Sequence, residues 1–367
     1  MGETVAARRL GGAEIATSVG SFKKKRELRA AGIEVHALVG RDAAKTAERA
    51  KRGGIPHAFT NLEDALALRD VDIVSIATPP HTHAAIAIAA ARAGKHVMCE
   101  KPFAANVEEA ERMLDAARAA GVVHVLGTEF RFATGQAIAT RAIRAGAVGA
   151  PRLATFLLLQ PSLADPRGEV PAWWSDANEG GGWLGAYASH VVDQMRATLG
   201  EWSGLSASLD VVADRPAGFT AEDTFTIHFR TVAGCTGLLQ SSAATLGPPA
   251  FASRISGPRG TLVIAGDQVS VTTASGTEKL PVPDDLASPP PVPPDRDLLV
   301  TAYDMMHSMG IDLAPFTKLF ACMRDRILGR PTPPDPVPGT FEDGVALQRI
   351  LDAIRRSAAA GSWEKLG

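Results

Sequence analysis

The sequence is poor in cysteine and has no long apolar run. Three cysteines, Cys99, Cys235 and Cys322, occur among 367 residues, and no two of them are separated by only two residues. This number and spacing indicate neither a disulfide framework nor a zinc cluster. The first residues lack the apolar core of a signal peptide, and no apolar run approaches the roughly 18 residues that span a bilayer. We therefore expect a soluble, cytoplasmic protein that does not bind a membrane.

Charge of one sign is not in excess either. The 38 Lys and Arg residues nearly balance the 40 Asp and Glu residues, which leaves a formal net charge of -2. A protein that binds nucleic acid usually carries a concentrated positive field. Nucleic acid is therefore not an expected partner.

What the sequence does contain is enough chain for two hydrophobic cores, since domains usually hold about 100 to 200 residues. In residues 33–126, short runs rich in Val and Ile alternate with helical stretches, the pattern of βαβ units around a parallel sheet. Strands are predicted at Ile33–Val39, Val71–Ala77, His96–Glu100 and Val122–Gly127. Helices are predicted at Thr82–Arg92 and Asn106–Ala119, the second with a capping-box pattern at its start.

After about residue 150 the pattern changes to strands of alternating polarity. Phe225, Ile227 and Phe229 alternate with polar residues, and this period of two indicates a sheet with one buried face, usually antiparallel. The strands predicted here are Leu153–Gln160, Phe225–Phe229, Gly237–Ser242 and Thr261–Ile264. A final helix carries its apolar side chains on one face, at Phe341, Val345, Ile350, Leu351 and Ile354. We predict an α/β domain over residues 1–127 and an α+β domain over 128–367 that includes this C-terminal helix.

Two of the predicted parallel strands end in sequences suited to ligand binding. Thr78, Pro79, Pro80 and His83 follow the strand that ends at Ala77, and the two prolines make this loop rigid. Ligands bind at the carboxyl ends of parallel strands, so this loop is a candidate for contact with a flat cofactor ring. The alternative is an ordinary turn with incidental histidines.

The next strand ends in Glu100, Lys101 and Pro102. A lysine at this edge can donate to a substrate oxygen and stabilise negative charge that develops on it as a hydride leaves or arrives. Taken alone, such a lysine is more often a solvated cap. Its position one strand beyond the Thr78 loop favours the functional interpretation.

A glycine-rich segment, GGGWLGAYASHVVD, begins at Gly180 and ends at Asp193. Glycines allow the backbone to approach a ligand closely, and His190, one turn into the predicted helix, can exchange a proton near neutral pH. Asp193 lies three residues later on the same helix face, where it could orient the imidazole. The alternative is a histidine of the hydrophobic core.

Together, and in this order, the Thr-Pro-Pro loop, the Glu-Lys-Pro tripeptide and the glycine-rich helix with His190 resemble the glucose-fructose oxidoreductase and inositol dehydrogenase family (Gfo/Idh/MocA). The resemblance covers roughly residues 33 to 360. It implies a Rossmann domain followed by a domain with a large, mostly antiparallel sheet that often mediates oligomerisation. It also implies a tightly bound NAD or NADP and hydride transfer at a carbinol carbon of a sugar, cyclitol or related compound.

By the same resemblance, Lys101 corresponds to the family's catalytic lysine and His190 to its catalytic histidine. Thr78, Pro79, Pro80, His83, Glu100 and Lys101 are then expected to contact the cofactor. The partners implied are a small, polar, sugar-like substrate and further copies of the chain, in a dimer or tetramer.

The chain departs from the family pattern before the histidine. Family members commonly carry an aspartate four residues before it, where this chain has Ala186. The proton relay must then differ, and Tyr187 and Asp193 are the candidate substitutes.

A second departure lies near the N-terminus, where a Rossmann domain requires a buried strand that runs into a G-x-G-x-x-G turn. The best match begins at Gly11, with Ala13 in place of the middle glycine and Ile15 within the motif. Two arginines precede it where a central strand is expected to be apolar. Either pyrophosphate binding is compromised, or the start of this chain differs from the ancestral reading frame.

The strand that ends at Val39 has no acidic residue at its tip to accept a hydrogen bond from a ribose 2′-hydroxyl. Arg41 follows instead, and an arginine there can contact a 2′-phosphate or stack on adenine. This favours NADP over NAD. The alternative is that Arg41 caps a solvated turn.

The combined interpretation is an NAD(P)-dependent oxidoreductase in which the nicotinamide lies between the Thr78 loop and Lys101. The substrate would lie between the ring and the helix that carries His190, and His190 would accept the hydroxyl proton directly or through Lys101. Arg131 and Trp174 are candidate substrate contacts. Two rival functions remain: a dinucleotide-binding sensor without turnover, and a hydrolase or lyase that oxidises its substrate only transiently.

Overall fold

The computed structural model describes residues 10–16, 24–165, 170, 172–215, 218–289 and 313–367. Within these residues the first sheet has six strands in the order β3-β2-β1-β4-β5-β6, and every neighbouring pair is parallel. The strands are β1 (Leu10–Ala16), β2 (Ile33–Val39), β3 (His57–Phe59), β4 (Ile73–Ala77), β5 (His96–Glu100) and β6 (His124–Gly127). This is the strand order of a Rossmann domain, as predicted.

Helices α1 to α5 connect these strands. They are α1 (Lys24–Ala30), α2 (Ala43–Gly53), α3 (Leu62–Leu66), α4 (His83–Arg92) and α5 (Val107–Ala120). The start of α5 follows the prediction, because the side chain of Asn106 accepts a hydrogen bond from the backbone N–H of Glu109. The predicted bounds of β2 and β5 are confirmed, whereas β4 and β6 each begin two residues later than expected.

Strand β1 corrects the interpretation of the glycine motif. Gly11, Ala13 and Ile15 lie inside β1, and Ile15 pairs with Ile76 of β4, so they form the central strand and not the turn after it. Gly11 is at the amino end of that strand, where a Cβ atom would collide with the carbonyl oxygen of Asp70. The upstream residues Val5 to Arg9 and the segment 17–23 that follows β1 lie outside the described residues.

The second sheet contains nine strands among the described residues, in the order β14-β13-β12-β11-β7-β10-β9-β8-β15. Their bounds are β7 (Leu153–Leu159), β8 (Trp202–Asp210), β9 (Thr224–Thr231), β10 (Thr236–Ser242), β11 (Ala250–Gly257), β12 (Gly260–Ala265), β13 (Gln268–Thr273), β14 (Gly276–Lys279) and β15 (Glu364–Lys365). Within this described part β7 and β10 are parallel, and the other neighbours are antiparallel. The predicted fold class is therefore confirmed.

On one face of this sheet α6 (Thr134–Arg144) packs on β12 and β13, and α7 (Ser189–Leu199) packs on α6. Phe225, Ile227 and Phe229 of β9 are fully buried, which confirms the period of two in the sequence. The predicted strands of this domain are present, each with bounds that differ by no more than two residues from the prediction.

The last two helices return to the first domain. Helix α8 (Leu313–Ile327) packs on α1, where Leu319 and Phe320 share a hydrophobic cluster with Leu28 and Ile33. Helix α9 (Phe341–Ala360) lies along α5, and its Asp352 accepts a hydrogen bond of 3.0 Å from the backbone N–H of Val107 at the start of α5. The end of the chain therefore contributes to the packing of the Rossmann domain.

The residues that the structure describes include no helix that is both long and apolar enough to cross a membrane.

Gly344 in α9 provides a test of this packing. A Cβ atom there would lie 2.5 Å from the ring of the fully buried Phe103, two residues after Lys101. Helix propensity alone predicts that Gly344→Ala stabilises the protein by about 0.5 to 1 kcal/mol. We expect the opposite, a loss of about 1 to 3 kcal/mol in the free energy of unfolding, because the ring has no room to move. Urea denaturation measures it.

The matched control is Ala359→Gly on the exposed last turn of the same helix, which should cost no more than the propensity difference of about 1 kcal/mol. A Gly344→Ala protein more stable than the wild type would show that Phe103 does not restrict α9.

Candidate active site

Three of the loops that carry predicted site residues leave the same edge of the parallel sheet. The Thr78 loop follows β4, Lys101 follows β5, and a short 3-10 turn at Glu129–Phe132 follows β6. The three strands are neighbours and run parallel, so their carboxyl ends lie side by side. This edge is where open α/β sheets bind ligands.

The Thr78 loop is held by internal contacts. Pro79 is extended, Pro80–Thr82 form a 3-10 turn, and the hydroxyl groups of Thr78 and Thr82 lie 2.5 Å apart. The hydroxyl of Thr82 also donates to the carbonyl oxygen of Pro79 at 2.8 Å. The loop therefore presents a rigid edge to any ligand above β4.

His83 supports this loop from within the protein. Its ring is fully buried, and its two nitrogens lie 2.8 Å from the carbonyl oxygen of Thr78 and 3.2 Å from that of Phe103. Burial lowers the pKa of His83, although both carbonyl groups oppose that effect. His83 thus connects the Thr78 loop to the segment after Lys101 and does not present its ring to solvent.

Lys101 joins the two domains. Its ammonium group donates a hydrogen bond of 3.0 Å to the carbonyl oxygen of Ala186, one turn before His190. The residue before Ala186 must be a glycine, because a Cβ atom at Gly185 would collide with the carbonyl oxygen of Gly180 and would lie 3.2 Å from Pro102. The structure therefore brings the predicted lysine to the segment that carries the predicted histidine.

Leu184–Ala188 form a π-helical turn directly before α7. Such turns are uncommon and often occur at functional sites. The buried Glu222 accepts a hydrogen bond of 2.8 Å from the backbone N–H of Leu184, and a Cβ atom at Gly182 would collide with this carboxylate. Burial raises the pKa of Glu222. The glycine at position 182 is therefore required for packing against Glu222.

His190 lies in the first turn of α7 and is only 4% exposed. Its Nδ1 atom is 3.3 Å from Oε2 of Glu129, and its ring stacks on Phe130 with centroids 4.3 Å apart. The sequence interpretation missed Glu129. The signal was present, because Glu129 follows the carboxyl end of a predicted strand, as Thr78 and Lys101 do.

Asp193 does not take the role suggested for it. Its buried carboxylate accepts two hydrogen bonds from Arg131, at 2.6 and 2.7 Å, and Arg131 also pairs with Asp343 at 3.0 Å. Burial alone would lower the pKa of Arg131, but these two carboxylates raise it overall. Asp193 therefore faces Arg131 and not His190, and Arg131 is held in an ion-pair network and not at a ligand surface.

Trp174 is 2% exposed and packs edge-on against Trp183, so the structure places it in the core and not at a ligand surface. The ring of Tyr187 stacks on that of Trp183, with ring centroids 5.0 Å apart. Tyr187 also lines a cavity between α7 and the second sheet, together with Phe130 and Val191. Burial raises the pKa of the Tyr187 phenol. Tyr187 is thus near His190 and remains a candidate contact.

Arg41 is exposed directly after β2, at the same sheet edge as Thr78 and Lys101. The side chain of its neighbour Asp42 accepts from the backbone N–H of Lys45 and caps α2. A dinucleotide across this edge would find a cation at the tip of the second strand, the rigid Thr78 loop beyond the central strand, and Lys101 at the reacting end. These positions fit a nicotinamide dinucleotide.

Comparison with known proteins agrees with this architecture. The family model "Oxidoreductase family, NAD-binding Rossmann fold" matches residues 11–128, and the Gfo/Idh/MocA C-terminal domain matches residues 137–263. A levoglucosan dehydrogenase from Pseudarthrobacter phenanthrenivorans is 38% identical over 173 residues, 46% of this chain and 44% of that protein. A 1,5-anhydro-D-fructose reductase from Ensifer adhaerens is 35% identical over 177 residues, 47% of this chain and 51% of that protein. The chain thus matches about half the length of these relatives.

The structural similarity extends further than the sequence alignments. The solved structure of a levoglucosan dehydrogenase in complex with NADH and levoglucosan has a TM-score of 0.82 to this chain at 26% identity, and it covers 98% of this chain and 99% of its own. Both family models match in their expected order, and the fold agrees over nearly the full length. The chain belongs to the Gfo/Idh/MocA oxidoreductase family.

Proposed function

We propose that this protein is an NAD(P)-dependent dehydrogenase that oxidises a carbinol carbon of a sugar, cyclitol or similar small polar compound. The observation that carries the proposal is the hydrogen bond from Lys101 to the carbonyl oxygen of Ala186. It holds a cation from the sheet edge within one helical turn of His190. The names of two relatives, levoglucosan dehydrogenase and 1,5-anhydro-D-fructose reductase, support a sugar-like substrate.

A bound nicotinamide would supply the hydride acceptor, and this chain's residues would manage the proton and the charge. The Lys101 ammonium would donate to the reacting oxygen and stabilise its negative charge. His190 would accept the hydroxyl proton, directly or through Lys101. The Thr78 loop and Arg41 would hold the two ends of the cofactor. Assembly into a dimer or tetramer stays a prediction.

The direct test of the function is a screen of polyols, sugars, sugar acids and cyclitols with NAD and NADP. We expect at least one class to give absorbance of reduced nicotinamide, in proportion to the substrate oxidised. Cofactor binding without any turnover would favour a sensor. Bond cleavage without net cofactor reduction would favour a hydrolase or lyase.

The role of Lys101 is tested by Lys101→Ala. We expect single-turnover hydride transfer to fall on the order of 10²-fold to 10³-fold, because one donor to the developing oxyanion is lost. Cofactor affinity should stay within an order of magnitude, since the lysine acts at the reacting oxygen. Stopped-flow absorbance and cofactor titration measure the two quantities.

Lys95→Ala is the matched control, because its ammonium group donates to the carbonyl oxygens of Leu68 and Val71 and lies next to the amino end of β5. It should transfer hydride at the wild-type rate. A wild-type rate in Lys101→Ala would show that this lysine only joins the two domains and takes no part in hydride transfer.

We further propose that the protein binds NADP at least as well as NAD, since Arg41 places a cation where NAD-selective folds place a carboxylate. In Arg41→Ala the Kd for NADP should rise about 10-fold or more, because a charge-assisted contact to the 2′-phosphate is lost, and the Kd for NAD should change far less.

Arg69→Ala is the control for general charge effects. It removes the same charge from an exposed site before the amino end of β4 and should leave both affinities unchanged. A clear preference for NAD that Arg41→Ala does not alter would remove Arg41 from the cofactor site.

A further inference from the structure

We propose that Glu129 is the positioning residue for His190, and that it takes the place of the aspartate which the family pattern puts at position 186. This inference rests on the proposed function. It concerns a carboxylate that is distant from His190 in the sequence and that reaches it from the edge of the parallel sheet.

The geometry around His190 supports this role. Oε2 of Glu129 lies 3.3 Å from Nδ1 of His190, and the two residues are only 2% and 4% exposed. Phe130, the next residue after Glu129, stacks on the imidazole with an interplanar angle of 12°. One turn therefore supplies both the carboxylate at the ring edge and the aromatic surface that restricts the ring plane.

Position 186 cannot supply a carboxylate, because its side chain is a methyl group. The carbonyl oxygen of Ala186 accepts a hydrogen bond from Lys101. Two further acidic residues on the surrounding elements are engaged by other groups. Asp193 is bound by Arg131 through two hydrogen bonds, and Glu222 accepts from the backbone N–H of Leu184. Tyr187 stacks on Trp183. Among the described residues, Glu129 is the carboxylate placed against the imidazole.

The other charges near His190 occur largely in compensating pairs. Among the described residues on its own helix and on the elements packed around it, they include Asp193, Arg196, Arg131, Asp343, Glu201 and Lys101. Arg131 pairs with Asp193 and Asp343, and Arg196 pairs with Glu201 and Asp343. Lys101 is directed to the carbonyl oxygen of Ala186. The group expected to set the charge preference of the imidazole is therefore Glu129.

The consequence is a defined tautomer of His190. A carboxylate at Nδ1 favours the neutral imidazole that carries its proton on Nδ1, which leaves the lone pair of Nε2 to accept a substrate proton. The same carboxylate stabilises the imidazolium that forms when the proton arrives. Since Glu129 follows β6 and His190 lies on α7, the proton acceptor is complete only when α7 packs against the turn after β6.

The first measurement is the tautomer of His190 in the wild-type protein, which needs neither turnover nor a variant of Glu129. The ¹⁵N chemical shifts of the histidine side chains report it, and comparison with His190→Asn assigns the signal. We expect a proton on Nδ1 and none on Nε2 above the pKa of the ring. A proton on Nε2 in the neutral ring would overturn the proposal.

The second measurement is the pH dependence of Glu129→Gln. Removal of the anion lowers the pKa of an adjacent imidazolium, so the NMR titration of His190 should move to lower pH by about 1 to 3 units. The acidic limb of kcat/KM should move with it, and kcat at its plateau should fall at least about 10-fold because the tautomer is no longer fixed. In the His190→Asn background the same substitution should have no further effect on rate.

Asp352→Asn is the matched control, because this carboxylate also joins the two parts of the chain, through the backbone N–H of Val107, but does not contact His190. It should leave the titration of His190 unchanged. A titration in Glu129→Gln that superimposes on that of the wild type would refute the role of Glu129. If the NMR results are as expected but no substrate is oxidised, the failure lies with the proposed function.

Discussion

The contact between the end of β5 and the start of α7 is the constraint on which the site depends. Lys101 donates to the carbonyl oxygen of Ala186, and Pro102 lies against Gly185. The acceptor belongs to the π-helical turn Leu184–Ala188, a form that is uncommon and often occurs at functional sites. Since the lysine comes from the first sheet and the carbonyl from the second domain, this hydrogen bond fixes the distance between the sheet edge and His190.

A buried charge network holds α7 in the orientation that this contact requires. Arg131 follows β6 and binds Asp193 of α7 and Asp343 of α9, while Arg196 of α7 binds Asp343 and Glu201. A buried ion pair contributes little net stability, because desolvation offsets the attraction, but removing one partner leaves an uncompensated charge. The network therefore acts mainly on the relative positions of α7, α9 and the turn after β6. It penalises any arrangement in which α7 and α9 separate from the turn after β6.

The packing of α9 on the first domain also holds the loops at the sheet edge in position. Gly344 lets the helix approach Phe103, which itself follows Lys101 and Pro102. His83 then connects Phe103 to the Thr78 loop through its two ring nitrogens. The loops at the sheet edge are thus supported from below by side chains that are fully buried, so their positions do not depend on solvent-exposed contacts.

The sequence by itself determined the fold class, the bounds of several strands to within two residues, and the segments that carry Lys101 and His190. The fold class and the strand bounds depend on local patterns of apolar and polar residues. Because the carboxyl ends of parallel strands lie at one edge of a sheet, the residues that follow them must lie close together. Strand β1 escaped prediction, because the glycines of LGGAEIA were interpreted as the turn after the strand, whereas pairing with β2 and β4 places them within it. Only the tertiary structure decided which carboxylate faces which cation. Asp193 shares a helix with His190 but is bound by Arg131, and Glu129 reaches the imidazole from another strand, because charge pairing depends on distances in space that sequence spacing does not specify.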